Sequence, residues 1–229
     1  MSNATKTIAV IGTGRMGGAI GGRLASLGHT VIFGSRAPDS EETAALVQKT
    51  GGGTTASSPT DAAAAADLIV FAVPWAGAEK AASSLGAVDG KTIIDVTNAL
   101  SFGSHGLMEI ATDTSSGESI QKWLPGSTVI KAFNTVGFHV IANPEAAGGP
   151  VSVPIVGDDE DAKTAVAELV QSFGFESVDV GPLVHARALE MMSMIYIVPY
   201  LQGRKEDAFE FYFRRGAAPK VSAGVRAAG

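Results

Sequence analysis

A short apolar run, Thr7–Ile11, leads directly into three glycines spaced as Gly12, Gly14 and Gly17. The run predicts a buried strand, and residues 16–27 predict a helix immediately after it. The first glycine permits a tight turn, the second lets a pyrophosphate touch the main chain, and the third lets the helix lie close to the strand. The helix N-terminus then points its amides at the phosphates. This succession of strand, turn and helix predicts a dinucleotide site.

A second predicted strand, residues 30–33, ends in Gly34, Ser35 and Arg36. NAD-specific sites usually place an acidic residue at this point, where it binds the ribose 2′-hydroxyl. A hydroxyl and a guanidinium suit a 2′-phosphate instead. Ser35 and Arg36 therefore predict NADP(H). The alternative interpretation is an ordinary glycine turn and a solvated surface arginine.

The composition excludes several classes of partner. With 229 residues, 45% of them hydrophobic, the chain is long enough for one α/β domain and a modest extension. Its net charge of −6 argues against nucleic acid, because phosphate neutralisation requires a basic surface. The chain contains no cysteine and no metal-ligand motif, so we expect no metal. Because it lacks an N-terminal apolar run and any membrane-spanning stretch, we expect a cytoplasmic protein without a membrane partner.

Strand-like runs alternate with helical stretches, which predicts an α/β fold with a doubly wound, mostly parallel sheet of the Rossmann type. The predicted strands are residues 7–11, 30–33, 54–55, 68–73, 92–95, 128–132, 153–156 and 176–180. The predicted helices are residues 16–27, 41–49, 61–66, 76–85, 118–124, 160–173 and 186–200. Residues 101–117 predict a loop without regular structure, either a lid or a passive insertion. We assign residues 1–181 to an NADP-binding domain and 182–229 to a helical extension that completes the acceptor pocket and a dimer interface.

The carboxyl ends of the predicted strands share the edge at which open α/β sheets bind ligands. With the adenosine and pyrophosphate at the first two strands, Val73, Pro74, Asn98 and Asn134 are expected nearest the nicotinamide. The two asparagines can donate to a carboxamide or carbonyl and accept from a ribose hydroxyl. Either could equally be a turn residue.

Acid–base residues are sparse at this edge. His29 and His105 are expected to be structural or solvated, whereas His139 and His185 are better placed to relay a proton. The alternative for both is a histidine that is only packed and hydrogen-bonded. Few acid–base groups suit a reaction in which the protein mainly positions two reactants, one of them a small-molecule redox acceptor.

The C-terminal part is rich in methionine and aromatic residues. Its predicted helix carries Met191, Met192, Met194, Tyr196 and Tyr200, and residues 208–213 add Phe209, Phe211, Tyr212 and Phe213. We expect this stretch, with Pro74 and Trp75, to form the wall against which a flat acceptor stacks, or else to be core or the interface of a homodimer. Residues 216–229 are expected to pack on a neighbouring subunit. The i, i+3 spacing of Arg187 and Glu190 predicts a surface or interface ion pair.

Several segments together resemble the NADPH-dependent reductases of coenzyme F420, an 8-hydroxy-5-deazaflavin. They are residues 12–14, 24–29, 34–36, 73–75, 157–159 and 181–183. Residues 95–98 and 131–135 resemble the NADPH-oxidising domain of the STEAP metalloreductases, which passes electrons to a flavin.

The resemblance implies a compact Rossmann domain with a small C-terminal extension, usually dimeric. The residues that match the family's NADP site are Thr13, Arg15, Met16, Ser35, Arg36, Val73 and Pro74. It also implies hydride transfer between nicotinamide C4 and either C5 of a stacked deazaflavin or N5 of a flavin. Asn134 departs from the deazaflavin-reducing pattern, in which this position is commonly His, so coenzyme F420 and a flavin both remain open as acceptors. Asn134 and His139 are the candidate catalytic residues.

Two other classes of function remain. Small NADPH-dependent carbonyl or imine reductases share the glycine turn, but 3-hydroxyacid dehydrogenases and pyrroline-carboxylate reductases have a larger helical C-terminal domain, and the hydroxyacid enzymes also a helix-borne catalytic Lys. Here Lys205 and Lys220 lie outside the predicted helix. A non-catalytic redox sensor that binds NADP(H) is the second alternative.

Overall fold

The structure, a computed structural model, describes residues 5–104, 108–201, 203 and 211–214. The strands within these ranges are β1 (Thr7–Ile11), β2 (Thr30–Gly34), β3 (Thr55–Ser57), β4 (Leu68–Phe71), β5 (Thr92–Asp95), β6 (Leu100–Phe102), β7 (Met108–Ile110), β8 (Thr128–Lys131), β9 (Ser152–Ile155) and β10 (Glu176–Asp179). The helices are α1 (Arg15–Ser26), α2 (Glu41–Thr50), α3 (Pro59–Ala65), α4 (Ala78–Ser83), α5 (Ser116–Trp123), α6 (Phe138–Ala142), α7 (Glu160–Ser172) and α8 (Ala186–Leu201). Short 3-10 turns lie at Trp75–Gly77, Pro144–Ala147 and Leu183–His185.

Six strands form one parallel sheet in the order β3-β2-β1-β4-β5-β8, which confirms the predicted doubly wound fold. Val10 in β1 pairs with Phe33 of β2 on one side and with Val70 of β4 on the other. The strand order therefore reverses between β1 and β4. In such sheets the ligand crevice lies at this reversal, outside the carboxyl ends of the strands.

The strands are apolar because helices cover both faces of the sheet. One core contains Val10, Phe33 and Val70 together with Leu24 of α1 and Val166 of α7. The other contains alternate strand residues such as Ile69 and Ile93, together with residues of α3, α4, α5 and the first turns of α8. Successive side chains of a strand point to opposite faces of the sheet, so the strands contribute apolar residues to both cores.

A separate two-stranded sheet lies beside β8. In it β9 pairs in parallel with β10, and an isolated antiparallel bridge joins Lys131 to Val156. The chain then enters α8, which buries Leu189, Glu190 and Ser193. Among the described residues, no helix has both the length and the hydropathy needed to cross a lipid bilayer.

Residues 101–117 differ from the prediction of an irregular loop, which is wrong. β6 and β7 form an antiparallel hairpin, and α5 begins within the segment, at Ser116. Three-residue strands are too short to show a periodic pattern, which explains why the sequence did not indicate them. The predicted helix 76–85 is a 3-10 turn followed by the shorter α4, and α6 was not predicted at all. His105, Lys205, Phe209, Lys220 and residues 216–229 lie outside the described residues.

Candidate functional site

The glycine turn after β1 leaves space at one glycine and none at the other two. Gly12 has a φ of +114°, and a Cβ there would overlap the carbonyl oxygen of Ala72. A Cβ on Gly17 would overlap the carbonyl oxygen of Gly12, whereas nothing lies within 4 Å of a Cβ on Gly14. Gly12 and Gly17 thus have the steric roles that their spacing predicts. The space at Gly14 is where the sequence predicts a pyrophosphate.

The N-terminus of α1 has no cap of its own. Four other helices, α2, α3, α5 and α7, each begin with a side chain that accepts a hydrogen bond from a main-chain amide of the first turn. The capping residues are Ser40, Ser58, Ser115 and Asp159, and each of these first turns also contains an acidic residue. α1 begins after Gly14 with neither a side-chain cap nor an acidic residue among the residues described there. Its first amides and the positive end of its dipole are therefore available to an anion.

The turn after β2 presents Arg36 to solvent. Ser35 is buried, its Oγ lies 3.2 Å from Thr43 Oγ1, and it accepts a hydrogen bond from Ala37 N over 3.2 Å. Thr43 in turn donates to Ala37 O, so these hydroxyls fix the turn. Arg36 is exposed and makes no hydrogen bond or ion pair with any residue that the structure describes. The guanidinium is thus presented at the end of β2, as a 2′-phosphate would require.

Two asparagines lie at the carboxyl ends of β5 and β8. Asn134 Nδ2 donates to Leu189 O over 3.0 Å and to Asn98 Oδ1 over 2.9 Å. Because a main-chain carbonyl can only accept, Asn134 must direct its nitrogen toward Leu189. The second N–H of that nitrogen then fixes Oδ1 of Asn98, so Nδ2 of Asn98 remains to donate to a ligand. Asn98 is half-buried and therefore accessible at this edge.

Asn134 itself lies deeper than the sequence suggested. Its side chain has no exposed surface, and its Oδ1 is buried without a partner among the described residues. Phe133, which precedes it, has a φ of +64°, an uncommon conformation for a residue with a Cβ. Phe133 is held by packing on Phe173, with ring centroids 5.2 Å apart. The structure therefore makes Asn134 a support for Asn98, whereas direct contact of Asn134 with an acceptor was the prediction.

The two candidate histidines lie on α6 and in the 3-10 turn before α8. His139 is exposed on α6, edge-on to the ring of Phe138, and the guanidinium of Arg15 lies 5.6 Å from the centroid of that ring. His139 is thus connected through Phe138 to the start of α1. His185 Nδ1 lies 2.7 Å from Val180 O, which links the 3-10 turn to the end of β10.

His29 is structural, as predicted. It is buried, and its Nδ1 accepts a hydrogen bond from Lys6 N over 3.3 Å. Burial lowers the pKa of His29, and the nearby charge of Lys6 lowers it further.

A buried ionic cluster next to the asparagines was not found from the sequence. Lys131 Nζ lies 2.8 Å from Asp95 Oδ2 and 3.1 Å from Glu190 Oε1, and it also donates to Ser116 Oγ over 2.8 Å. The prediction of a surface or interface ion pair between Arg187 and Glu190 is wrong, because Glu190 points inward to Lys131 while Arg187 donates to Asp113 O. A helical i, i+3 spacing does not show which side of the helix is buried. The lysine in an otherwise apolar strand was the available signal.

The predicted acceptor wall divides between two surfaces. Tyr196 OH lies 3.3 Å from Asn134 O, and its ring contacts Phe211 at a centroid distance of 6.4 Å. Met191 and Ile195 are instead exposed, at 53% and 57%. Trp75 stacks on Trp123, with centroids 5.6 Å apart and an interplanar angle of 24°. Tyr196 therefore brings an aromatic side chain of α8 beside Asn134.

Comparison with known proteins supplies the family. Residues 7–99 match the family model for coenzyme F420-dependent NADP oxidoreductases. A crystal structure from Arthrobacter sp. FB24, described as a candidate F420-dependent NADP-reductase, is 31% identical, with a TM-score of 0.83 over 92% of this chain and 100% of the other. The chain belongs to the F420-dependent NADP oxidoreductase family. It is accordingly an NADP-dependent oxidoreductase.

Other relatives of this family member agree with the resemblance seen in the sequence. The F420-dependent NADP reductase of Methanothermobacter marburgensis is 29% identical over 88% of this chain and 95% of its own length. Rat metalloreductase STEAP3 is 28% identical over 82% of this chain, which spans only 36% of that protein. An imine reductase from Aspergillus terreus, solved with NADPH4, has a TM-score of 0.61 at 19% identity over 87% of this chain and shares the fold alone.

NADP(H), the cofactor of the family, fits this chain's own geometry. The uncapped start of α1 and the open space at Gly14 suit a pyrophosphate. Arg36 suits a 2′-phosphate, and Val73 lies next to the glycine turn, since its Cγ1 is 3.4 Å from the position of a Cβ on Gly12. The residues assigned individually to the cofactor, from Gly12 to Gly17 and then Ser35, Arg36, Val73, Pro74 and Asn98, stay predictions.

Proposed function

We propose that this family member transfers a hydride between NADP(H) and a planar deazaflavin or flavin stacked on the nicotinamide. One observation carries the proposal. The segments that follow β4, β5 and β8, residues 72–75, 96–99 and 132–137, contain no acidic, basic, histidine or tyrosine residue. Of the two carboxamides in these segments, that of Asn98 is half-buried and that of Asn134 is buried. Such an edge suits a reaction between two rings that needs positioning rather than a protein acid.

The proposed reaction balances without a protein acid or base. When bound, NADPH supplies a hydride from nicotinamide C4, which forms a bond to C5 of a deazaflavin or N5 of a flavin, and NADP⁺ remains. Solvent provides the proton that neutralises the reduced ring. Asn98 donates from Nδ2 to a carbonyl of either ring system, while Asn134 and Leu189 hold that amide in its orientation.

The test is stopped-flow oxidation of NADPH with a panel of acceptors: coenzyme F420, FMN, FAD, riboflavin and small ketones and imines. We expect a deazaflavin or flavin to react at least about a hundredfold faster than any small carbonyl or imine, since a small molecule would not fill a slot made for a ring and would be held less well in the reactive geometry. The departure at Asn134 leaves both ring types in the proposal. A small imine or ketone as the best substrate would contradict it.

Imine or carbonyl reduction is the second candidate, because Tyr196 brings a phenol to within 3.3 Å of Asn134 O. A phenol can protonate a reduced imine or carbonyl, which the asparagines cannot do. Tyr196→Phe separates the two functions. It should leave transfer to a deazaflavin within about threefold of the wild-type rate, whereas loss of about a hundredfold or more with an imine is typical of a removed general acid.

We further propose that two copies associate through α8, which would make the protein a homodimer. Val184, Ala188, Met191 and Ile195 are exposed and follow each other at intervals of four, three and four residues, the spacing of a helix–helix seam. Met191→Glu together with Ile195→Glu should produce a monomer by light scattering. Exposed Ala188→Ser on the same seam should weaken association less, because it removes little apolar area and places no charge in the interface. A wild-type monomer at micromolar concentration would contradict this.

A further inference from the structure

The buried ionic cluster holds the main chain on both sides of Asn98. Asp95 Oδ1 accepts a hydrogen bond from Thr97 N over 2.8 Å, and Lys131 Nζ donates one to Thr97 O over 2.6 Å. On the other side of Asn98, Glu190 Oε2 accepts a hydrogen bond from Ala99 N over 3.0 Å. Each of these contacts uses a side chain without appreciable exposure. The main chain at residues 97–99 is thus fixed by charged groups from three different elements.

This arrangement costs more than an apolar contact of the same volume would. Two carboxylates and one ammonium are removed from water, and burial of such groups is unfavourable unless their charges and hydrogen bonds are satisfied. Here main-chain amides and hydroxyls complete the shell, including Ser116 N, which donates to Glu190 Oε1 over 2.8 Å. A buried ion pair is weak evidence for stability. Its geometry, however, defines where the residues that it contacts must lie.

We propose that Lys131 and Glu190 are positioning residues for hydride transfer: they hold residues 97–99 so that Asn98 directs its Nδ2 at the nicotinamide end of the crevice. This inference rests on the proposed function, because it assumes that Asn98 faces the nicotinamide. α8 contributes twice, through the Glu190 side chain and through the Leu189 carbonyl that orients Asn134. Through these two contacts the C-terminal helix helps to define the geometry of the site.

Glu190→Gln is the sharpest probe, because the two carboxylate oxygens have different partners. Oε1 faces Lys131 and both donors of Ser116, whereas Oε2 faces only Ala99 N. The amide oxygen of Gln would take the Oε1 position and its NH₂ would face the N–H of Ala99, donor against donor. The substitution thus releases Ala99 while it keeps the contacts to Lys131 and Ser116. Glu118→Gln, at a half-buried glutamate in the first turn of α5, is the matched control.

Three readouts on the full chain separate positioning from folding. The affinity for 2′,5′-ADP reports the adenosine end of the site, the fluorescence yield of bound NADPH reports immobilisation of the nicotinamide, and single-turnover stopped flow reports hydride transfer. For Glu190→Gln we expect 2′,5′-ADP affinity within about twofold of wild type, lower nicotinamide fluorescence and hydride transfer slowed by about tenfold or more. Glu118→Gln should match wild type in all three.

Unchanged nicotinamide fluorescence and transfer rate in Glu190→Gln would overturn the proposal. So would a parallel loss of 2′,5′-ADP affinity and thermal stability, since that describes a purely structural role. Hydrogen exchange of the wild type gives a test that needs no variant: the amides of Thr97 and Ala99 should be strongly protected, and rapid exchange at either would overturn it. If the wild type reduces neither deazaflavin nor flavin, the proposed function fails, while the fluorescence and exchange measurements still decide this inference.

Discussion

The side-chain nitrogen of Asn134 donates a hydrogen bond to Oδ1 of Asn98 over 2.9 Å, and this contact determines which end of the Asn98 amide faces the crevice. The same nitrogen is fixed by the Leu189 carbonyl on α8. A residue that follows β8 and a residue of the C-terminal helix thereby orient a group that follows β5. The candidate site is in this sense shared by the sheet and the helix.

Asn134→Ala should slow hydride transfer by about tenfold and change NADPH affinity little, because Asn98 loses the contact that orients it. It should also lower the free energy of unfolding by about 1 to 3 kcal/mol, since the buried Leu189 carbonyl and the part-buried Oδ1 of Asn98 lose their donor. Single-turnover stopped flow and urea denaturation measure the two effects. Asn143→Ala, at an exposed asparagine after α6, is the control. An unchanged transfer rate in Asn134→Ala would remove Asn134 from the site.

Arg36→Ala should weaken NADPH binding by about ten- to a hundredfold and leave NADH binding nearly unchanged. A charge-assisted contact to the 2′-phosphate contributes about 1.5 to 3 kcal/mol, and NADH has no such phosphate. Titration calorimetry with both cofactors measures the difference. Lys49→Ala removes an exposed cation at the far end of α2 and should affect neither. Equal losses for the two cofactors in Arg36→Ala would count against the assignment.

Gly14→Ala and Gly17→Ala should fail in different ways. At Gly14 a Cβ meets nothing within 4 Å and the φ of −74° suits any residue, so the variant should fold normally yet bind NADPH at least about tenfold more weakly. At Gly17 a Cβ would overlap the carbonyl oxygen of Gly12, so the fold itself should be destabilised. Thermal unfolding and NADPH titration distinguish the two patterns. Normal NADPH affinity in Gly14→Ala would mean that no phosphate lies there.

His29 should make the protein less stable in mild acid. Burial and Lys6 lower its folded-state pKa below the ordinary value of 6.5, so between the two pKa values the unfolded chain binds more protons. The free energy of unfolding should therefore fall as the pH decreases through about 6.5 toward the folded-state pKa. His29→Asn, whose Oδ1 can also accept from Lys6 N but does not titrate, should reduce this dependence. Urea denaturation at several pH values measures it, and an identical slope in the variant would exclude His29 as the cause.

The fold could largely be predicted from the sequence, because five of the six parallel strands are mainly apolar runs with glycine, proline or asparagine nearby, whereas β3 is only Thr55–Ser57. The glycine turn was also predictable, because its glycines are required by the local geometry of the turn, which the spacing in the sequence reveals. The hairpin of β6 and β7 was not, because its strands are three residues long. α6, with five residues, is likewise too short to show a helical period.

The site could be predicted only in part. The sequence placed Asn98 and Asn134 at one edge of the sheet, but it could not show that Asn134 is buried and supports Asn98. Contacts that join distant segments determine that difference, among them the hydrogen bond from Asn134 to Leu189 of α8. The same is true of Lys131, whose partners lie on β5, α5 and α8. Local patterns cannot show which of two polar residues reaches solvent.

Label transfer tests the central claim most directly. NADPH carrying deuterium at the transferred C4 position is mixed with enzyme and coenzyme F420 in a single turnover, and the reduced deazaflavin is analysed by mass spectrometry. FMN in a parallel reaction is read through the isotope effect on the rate, because a flavin N5–H exchanges with solvent. We predict deuterium at deazaflavin C5, or a slower turnover of FMN with the labelled cofactor. Reduction of neither ring above the uncatalysed rate, together with label in a small imine or ketone product, would contradict the account.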